Sequence, residues 1–150
     1  MKKVVFGITS LTLGGAERVL IDIVNKLQDD FDITIFTIYG DGDFEKSLRD
    51  KIKIVSIYNE NFKSMNIIKR KLIALKLLIF KKQVYKKYIQ NKYDVEIAFL
   101  EGVITRIFGI RRNNVRKLAW VHNDIKKTYN NCLSDKIKQN ADRKAYGNFD

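Results

Sequence analysis

Lys3–Ile8 (KVVFGI), Thr9–Gly15 (TSLTLGG), Ala16–Gln28 (AERVLIDIVNKLQ) and Phe31–Tyr39 (FDITIFTIY) follow one another at the start of the chain, and their order decides the fold. The first is a short, β-branched apolar run of the length of a buried strand. The second ends in two adjacent glycines. The third places Val19, Leu20, Ile23, Val24 and Leu27 at the spacing of a helix with one buried face. The fourth is β-rich and stops at Gly40-Asp41-Gly42-Asp43, a strong turn signal. Strand, glycine loop, helix and strand make a βαβ unit.

The alternation continues outward from that unit. A short charged helix is predicted over Phe44–Asp50, a strand over Ile52–Tyr58 and a long helix over roughly Met65–Asn91. Asp94–Leu100 (DVEIAFL) reads as a fourth strand, Gly102–Ile110 as a helix and Lys117–Val121 (KLAWV) as a fifth strand. A polar helix follows over roughly Ser134–Tyr146. Strands alternating with helices, several of them apolar on both faces, imply right-handed crossovers and a parallel sheet. The expected fold is therefore α/β, an open Rossmann-like parallel sheet flanked by helices, in one domain of 150 residues.

The chain carries 29 Lys+Arg against 17 Asp+Glu, a formal net charge of +12. The excess is local. Residues 61–92 hold 10 basic side chains and no acidic one, whereas residues 1–60 are slightly acidic. That asymmetry points to an anionic partner, a lipid surface or a nucleic acid. No RNP-like motif, zinc spacing or helix-turn-helix signature stands out, so nucleic acid is the less supported partner. The single Cys excludes a disulfide framework and suits a reducing cytosol. No stretch reaches about 18 uninterrupted apolar residues, so none is expected to span a membrane.

In an open parallel sheet, ligands bind at the carboxyl ends of the strands, where strand order reverses. The loops after strands 1, 4 and 5 are thus the ones that matter. Gly14-Gly15 at a helix start allow close backbone approach and offer free N–H groups to a phosphate. The pattern is neither G-x-G-x-x-G nor G-x-x-x-x-G-K-[ST], which argues against a nicotinamide cofactor and a P-loop ATPase. Glu17 in the first turn would repel such an anion if it faced the same way, and the glycines can equally serve a tight turn. Glu101, beside Gly102, can accept hydrogen bonds from sugar hydroxyls or cap the next helix. His122, the one His in the chain, stands beside Asn123 and Asp124 at the end of strand 5. Its imidazole can donate or accept a proton near neutrality or serve a structural role. With no second His or suitably spaced Cys, a metal site is not expected.

These segments, T-S-L-T-L-G-G-A-E-R-V-L, D-V-E-I-A-F-L-E-G and W-V-H-N-D-I in that order, resemble the N-terminal half of a family-4 glycosyltransferase of the GT-B fold. The resemblance covers essentially the whole chain. It implies transfer of a sugar from a nucleotide-sugar donor with retention of configuration and no metal. It sets Gly14 and Gly15 against the donor phosphates and brings His122, as a catalytic residue, to the transferred sugar. Glu101, Gly102 and Asn123 would lie on the acceptor side, facing a glycan or lipid-linked acceptor in surface polysaccharide or glycolipid synthesis. A member of that family would continue past Asn148-Phe149-Asp150 into further strands and a second, nucleotide-binding domain with an E-x7-E motif; without it, the 150 residues alone are not expected to turn over. The competing reading is a non-catalytic basic half-domain that binds an anionic surface or nucleic acid.

Within the basic segment, Ile68, Leu72, Leu75 and Ile79 form one helical stripe, and Ile73, Leu77, Phe80 and Val84 form a second, rotated by about 120°. The first is expected to dock on the sheet. The second, flanked by Lys69, Arg70, Lys76, Lys81 and Lys87, is expected to rest on the anionic inner leaflet as an interfacial helix, making the protein cytoplasmic and peripheral. Burial of both stripes with snorkelling lysines is the alternative.

Overall fold

The computed structural model describes residues 1–12, 14–122, 129 and 133–150. It contains β1 (Lys2–Ile8), α1 (Gly15–Leu27), β2 (Phe31–Tyr39), β3 (Lys53–Tyr58), α2 (Ile67–Tyr88), β4 (Val95–Ala98), α3 (Val103–Phe108), β5 (Arg116–Ala119) and α4 (Leu133–Tyr146). The five strands form one sheet in the order β3-β2-β1-β4-β5, with every pairing parallel. The α/β, Rossmann-like expectation is met. The chain winds outward from β1 to β3, then α2 carries it back across to β4, so the order reverses between β1 and β4.

Alternation along the central strands fills two cores. Val4, Phe6 and Ile8 of β1 and Ile33 and Ile35 of β2 face Leu20, Ile21 and Val24 of α1. Val5, Phe36 and Ile38 face Ile73, Leu77 and Tyr85 of α2 and Ile104, Ile107 and Phe108 of α3. Gly7 lies between: a Cβ there would run into the Phe108 ring, so glycine lets α3 close on β1.

The differences from expectation have physical causes. Val19, predicted on the buried face of α1, is 43% exposed because Ile21 takes its place toward the sheet. The charged segment after the Gly-Asp turn forms only a short 3-10 turn, Asp43–Ser47, closed when Gly42 N–H donates to Glu45 Oε1. Helix α2 starts one residue after Asn66, whose side chain accepts from Lys69 N–H at 2.8 Å.

The larger correction concerns α2. Ile73 and Leu77, expected at a membrane, are buried against the sheet, and Val84 packs at the edge of the same core. Arg70 stacks on Phe62 at 4.0 Å rather than facing a lipid surface. Lys81 is half-buried near Arg106 and Asp142, and burial foremost lowers its pKa. Conversely Ile68, Leu72, Leu75 and Ile79, expected on the sheet, are exposed. The stripe through Ile73 and Leu77 wins because it leads to Tyr85, whose hydroxyl finds Glu96 inside the core. Phe80, at a break in the helix (φ −99°, ψ 18°), remains 45% exposed.

Beneath the sheet lies a buried ionic cluster that no motif announces. Lys117 Nζ donates to Glu96 Oε2 at 2.5 Å and to the Phe108 carbonyl at 2.7 Å. The Tyr85 hydroxyl donates to both Glu96 oxygens at 2.9 Å. Burial, then Glu96, holds the Tyr85 hydroxyl far above its usual range; burial also lowers the Lys117 ammonium, against the opposing pull of Glu96. At the outer edge of β5, Asp150 N–H donates to the Lys117 carbonyl, and its carboxylate accepts from Lys117 N–H.

Candidate functional site

The carboxyl ends of β1, β4 and β5 meet at the reversal point, where parallel sheets bind ligands. The loop after β1 is fixed before it reaches its glycines. The Thr9 carbonyl accepts from Ile38 and Tyr39 N–H, the Leu11 carbonyl accepts from Phe44 N–H, and the Leu11 side chain is fully buried. Ser10 and Thr12 share a hydrogen bond of 3.1 Å below the surface.

Gly14 has extended backbone (φ −169°, ψ 165°), so its conformation does not demand glycine. A Cβ there would meet only the Glu17 carboxylate, the far end of a flexible side chain that folds back over the start of α1 and can shift aside. An acid at a helix N-terminus offsets the positive end of the dipole. Nothing approaches the Cβ direction of Gly15, which faces open space.

Phe99, at the end of β4, is fully buried and serves as the floor of the site. The Trp120 ring packs 5.0 Å from it and the His122 ring 4.9 Å from it. Trp120 and His122 lie nearly parallel, with 13° between their planes. Because Phe99 belongs to the core beneath α1, the imidazole lies toward the α1 side of the sheet. His122 Nε2 is buried and has no hydrogen-bond partner among the described residues. Unmet buried polar groups are uncommon in proteins.

Glu101 meets His122 directly, but through the backbone: His122 N–H donates to Glu101 Oε1. The carboxylate thereby ties the loop after β4 to the loop after β5. Gly102, next to it, adopts φ +81° and ψ −120° at the start of α3, a conformation that L side chains resist. Gly102→Ala is therefore expected to lower stability by about 1–3 kcal/mol, read as a shift of the urea midpoint at unchanged slope.

On the α2–α3–α4 side of these loops is a cavity of about 740 Å³, lined by Glu101, Gly102, Lys71, Arg106, Lys138 and Tyr146 among others. Burial foremost raises the Tyr146 hydroxyl. Arg106 is held in the wall by a buried two-point ion pair, donating to the Asp142 carboxylate at 2.5 and 2.8 Å.

The structure thus joins Glu101 and His122, sets Gly102 beside them, and places Gly14-Gly15 at the neighbouring end of β1. Asn123 lies outside the described residues. Arg106, Asp142 and Tyr146 were not anticipated, since Arg106 and Asp142 are far apart in sequence and match no motif. Trp120 was visible as an aromatic beside His122, which was its only signal.

No protein-family model matches the chain, and neither does any curated protein. Among solved structures, the chain is similar to the apo form of the lipopolysaccharide outer core galactosyltransferase WaaB, with a TM-score of 0.54 and 14% sequence identity. The match covers 96% of this chain and 37% of that one. At that identity the likeness is one of fold, and it meets the expectation of a Rossmann-like half of a GT-B architecture.

Proposed function

We propose that the chain is the acceptor-side domain of a retaining, nucleotide-sugar-dependent glycosyltransferase of the hexosyltransferase class. The observation that carries this reading is the pairing of Glu101 and His122 at the reversal point, with a buried Nε2 that has no partner among the described residues and is held in an aromatic cradle. A sugar hydroxyl or ring oxygen brought to that nitrogen would satisfy it. The glycosyltransferase-like fold supports the same reading.

In this mechanism His122 contacts the transferred sugar, while Glu101 positions the His122 backbone. Gly15 and the start of α1 meet the donor phosphates once the Glu17 carboxylate swings away from Gly14. The acceptor enters the cavity beside Glu101 and Gly102, where apolar walls and the Lys71 ammonium group suit a glycan on an anionic lipid. Donor nucleotide binding, the E-x7-E carboxylates and independence from metals belong to the same proposal. They require a second α/β domain joined to this one.

The solved relative acts on the lipopolysaccharide outer core, which supports a surface glycolipid or polysaccharide as the acceptor class. The test is release of nucleoside diphosphate when the intact gene product is given nucleotide-sugars and a bacterial lipid extract. Lipid-dependent release supports the proposal. Its absence with all common donors would replace it with a binding role.

A further inference from the structure

We propose that Arg70 recognises a carboxylate-bearing sugar in a second pocket, between α2 and the carboxyl ends of β1 and β2, so that the acceptor is an acidic glycan. The proposal rests on the acceptor-side reading above and names the acceptor's chemistry. The pocket is a cavity of about 340 Å³ walled by Tyr39, Phe62, Leu77 and Val103, with Arg70 and Lys71 as its charged groups. It adjoins the cavity beside Glu101, since Lys71, Ala74 and Val103 line both.

Arg70 is held in place without a counterion. Its guanidinium lies 4.0 Å from the centre of the Phe62 ring, and its Nη2 donates to the Lys63 carbonyl at 3.2 Å. Its Nε is buried and has no hydrogen-bond partner among the described residues. The acids of the neighbouring loops are committed elsewhere: Asp43 pairs with Lys63 at 2.8 Å and Glu60 with Lys69 at 2.6 Å. Arg106 shows the usual solution for a guanidinium withdrawn from water, donating at two points to Asp142. Beside Arg70 there is a cavity instead.

The walls choose the body that carries the anion. Apart from Arg70, Lys71 and Thr9, the described lining is apolar or aromatic, and it contains no carboxylate. Free phosphate would use the guanidinium and leave those walls unfilled. A neutral sugar would fill the space and leave Nε unmet, which costs free energy for a buried donor. A sugar ring bearing a carboxylate does both: its C–H face meets the apolar walls, and its two oxygens match the planar fork of Arg70. Lys71, exposed at the rim, adds a second positive charge.

The test is an NMR titration of the intact gene product with glucuronate, glucose and inorganic phosphate, read at the Arg70 Nε–H and the amides of Tyr39 and Phe62. Glucuronate should shift all three and bind roughly 10-fold or more tighter than glucose, the scale of one charge-assisted hydrogen bond. Arg70→Lys keeps the charge but loses the fork, and should lose that discrimination at the two amides. Should Arg70→Lys disturb the packing on Phe62, Ala74→Phe, at an exposed position of the cavity wall, should still block glucuronate. Equal binding of glucuronate and glucose would overturn the proposal, as would discrimination that survives Arg70→Lys, or no shift with any of the three. Phosphate binding as tight as glucuronate would overturn it in favour of a phosphate site. None of these readings needs a donor or turnover, so failed sugar transfer with glucuronate selectivity intact would remove the transferase reading and leave the pocket.

Discussion

Glu96→Ala is expected to destabilise the chain by about 3–5 kcal/mol, because it strands the Lys117 ammonium in the core. Lys117 is 2% exposed and Glu96 fully buried, so water cannot replace the lost carboxylate. The remaining partners, the Phe108 carbonyl and the Tyr85 hydroxyl at 3.1 Å, are neutral. Arg112 adds a further cation, its Nη1 3.7 Å from Glu96 Oε1. A loss of this size is a large share of the roughly 5–15 kcal/mol that holds a domain together. The double variant Glu96→Leu/Lys117→Met, which removes both charges, should recover most of it, since an apolar pair of similar volume avoids desolvating ions. Urea unfolding of the two variants measures both effects. A Glu96→Ala chain within 1 kcal/mol of the parent would show that the cluster contributes little.

In the glycosyltransferase proposed above, His122→Ala is expected to lower turnover by roughly 100-fold or more, the scale of losing one well-placed polar contact to a transition state. Donor affinity should change far less, because the contact proposed for His122 is with the sugar and not the nucleotide. The split follows from geometry. Phe99 and Trp120 fix the ring, Glu101 fixes the backbone, and the buried Nε2 has no other partner among the described residues. A group held this firmly, with no partner among the described residues, suits a contact formed during reaction. Measuring kcat and KM separately checks it: the effect should fall on kcat. An unchanged kcat would remove His122 from the mechanism and leave it a structural cap on Phe99.

Much of the fold could be read from the chain because β1 and β2 are buried over most of their length and so appear as strongly apolar, β-branched stretches, the second stopping at Gly40-Asp41-Gly42-Asp43. The loops worth inspecting followed from the same pattern, and Glu101 and His122 do come together. The docking face of α2 could not be read. Its two aliphatic stripes are equally apolar, and the choice between them depends on Tyr85 reaching Glu96 across the sheet. The ion pairs Glu96–Lys117 and Arg106–Asp142 were hidden for a related reason: each joins residues from separate elements, and nothing local marks a charged side chain as buried. Glu17 was legible as a complication, but its fold over Gly14 is a matter of side-chain geometry.

The most direct test of the central claim is an amide-resolved NMR titration of the protein joined to its proposed nucleotide-binding domain with UDP-galactose, UDP-glucose and GDP-mannose at millimolar concentration. The account predicts that at least one donor shifts the amides of Gly15, Glu101, Gly102 and His122 together, while the far ends of the strands stay unmoved. No shift with any of the three, or shifts confined to the α2 lysines, would contradict a sugar-transfer site at the reversal point of the sheet.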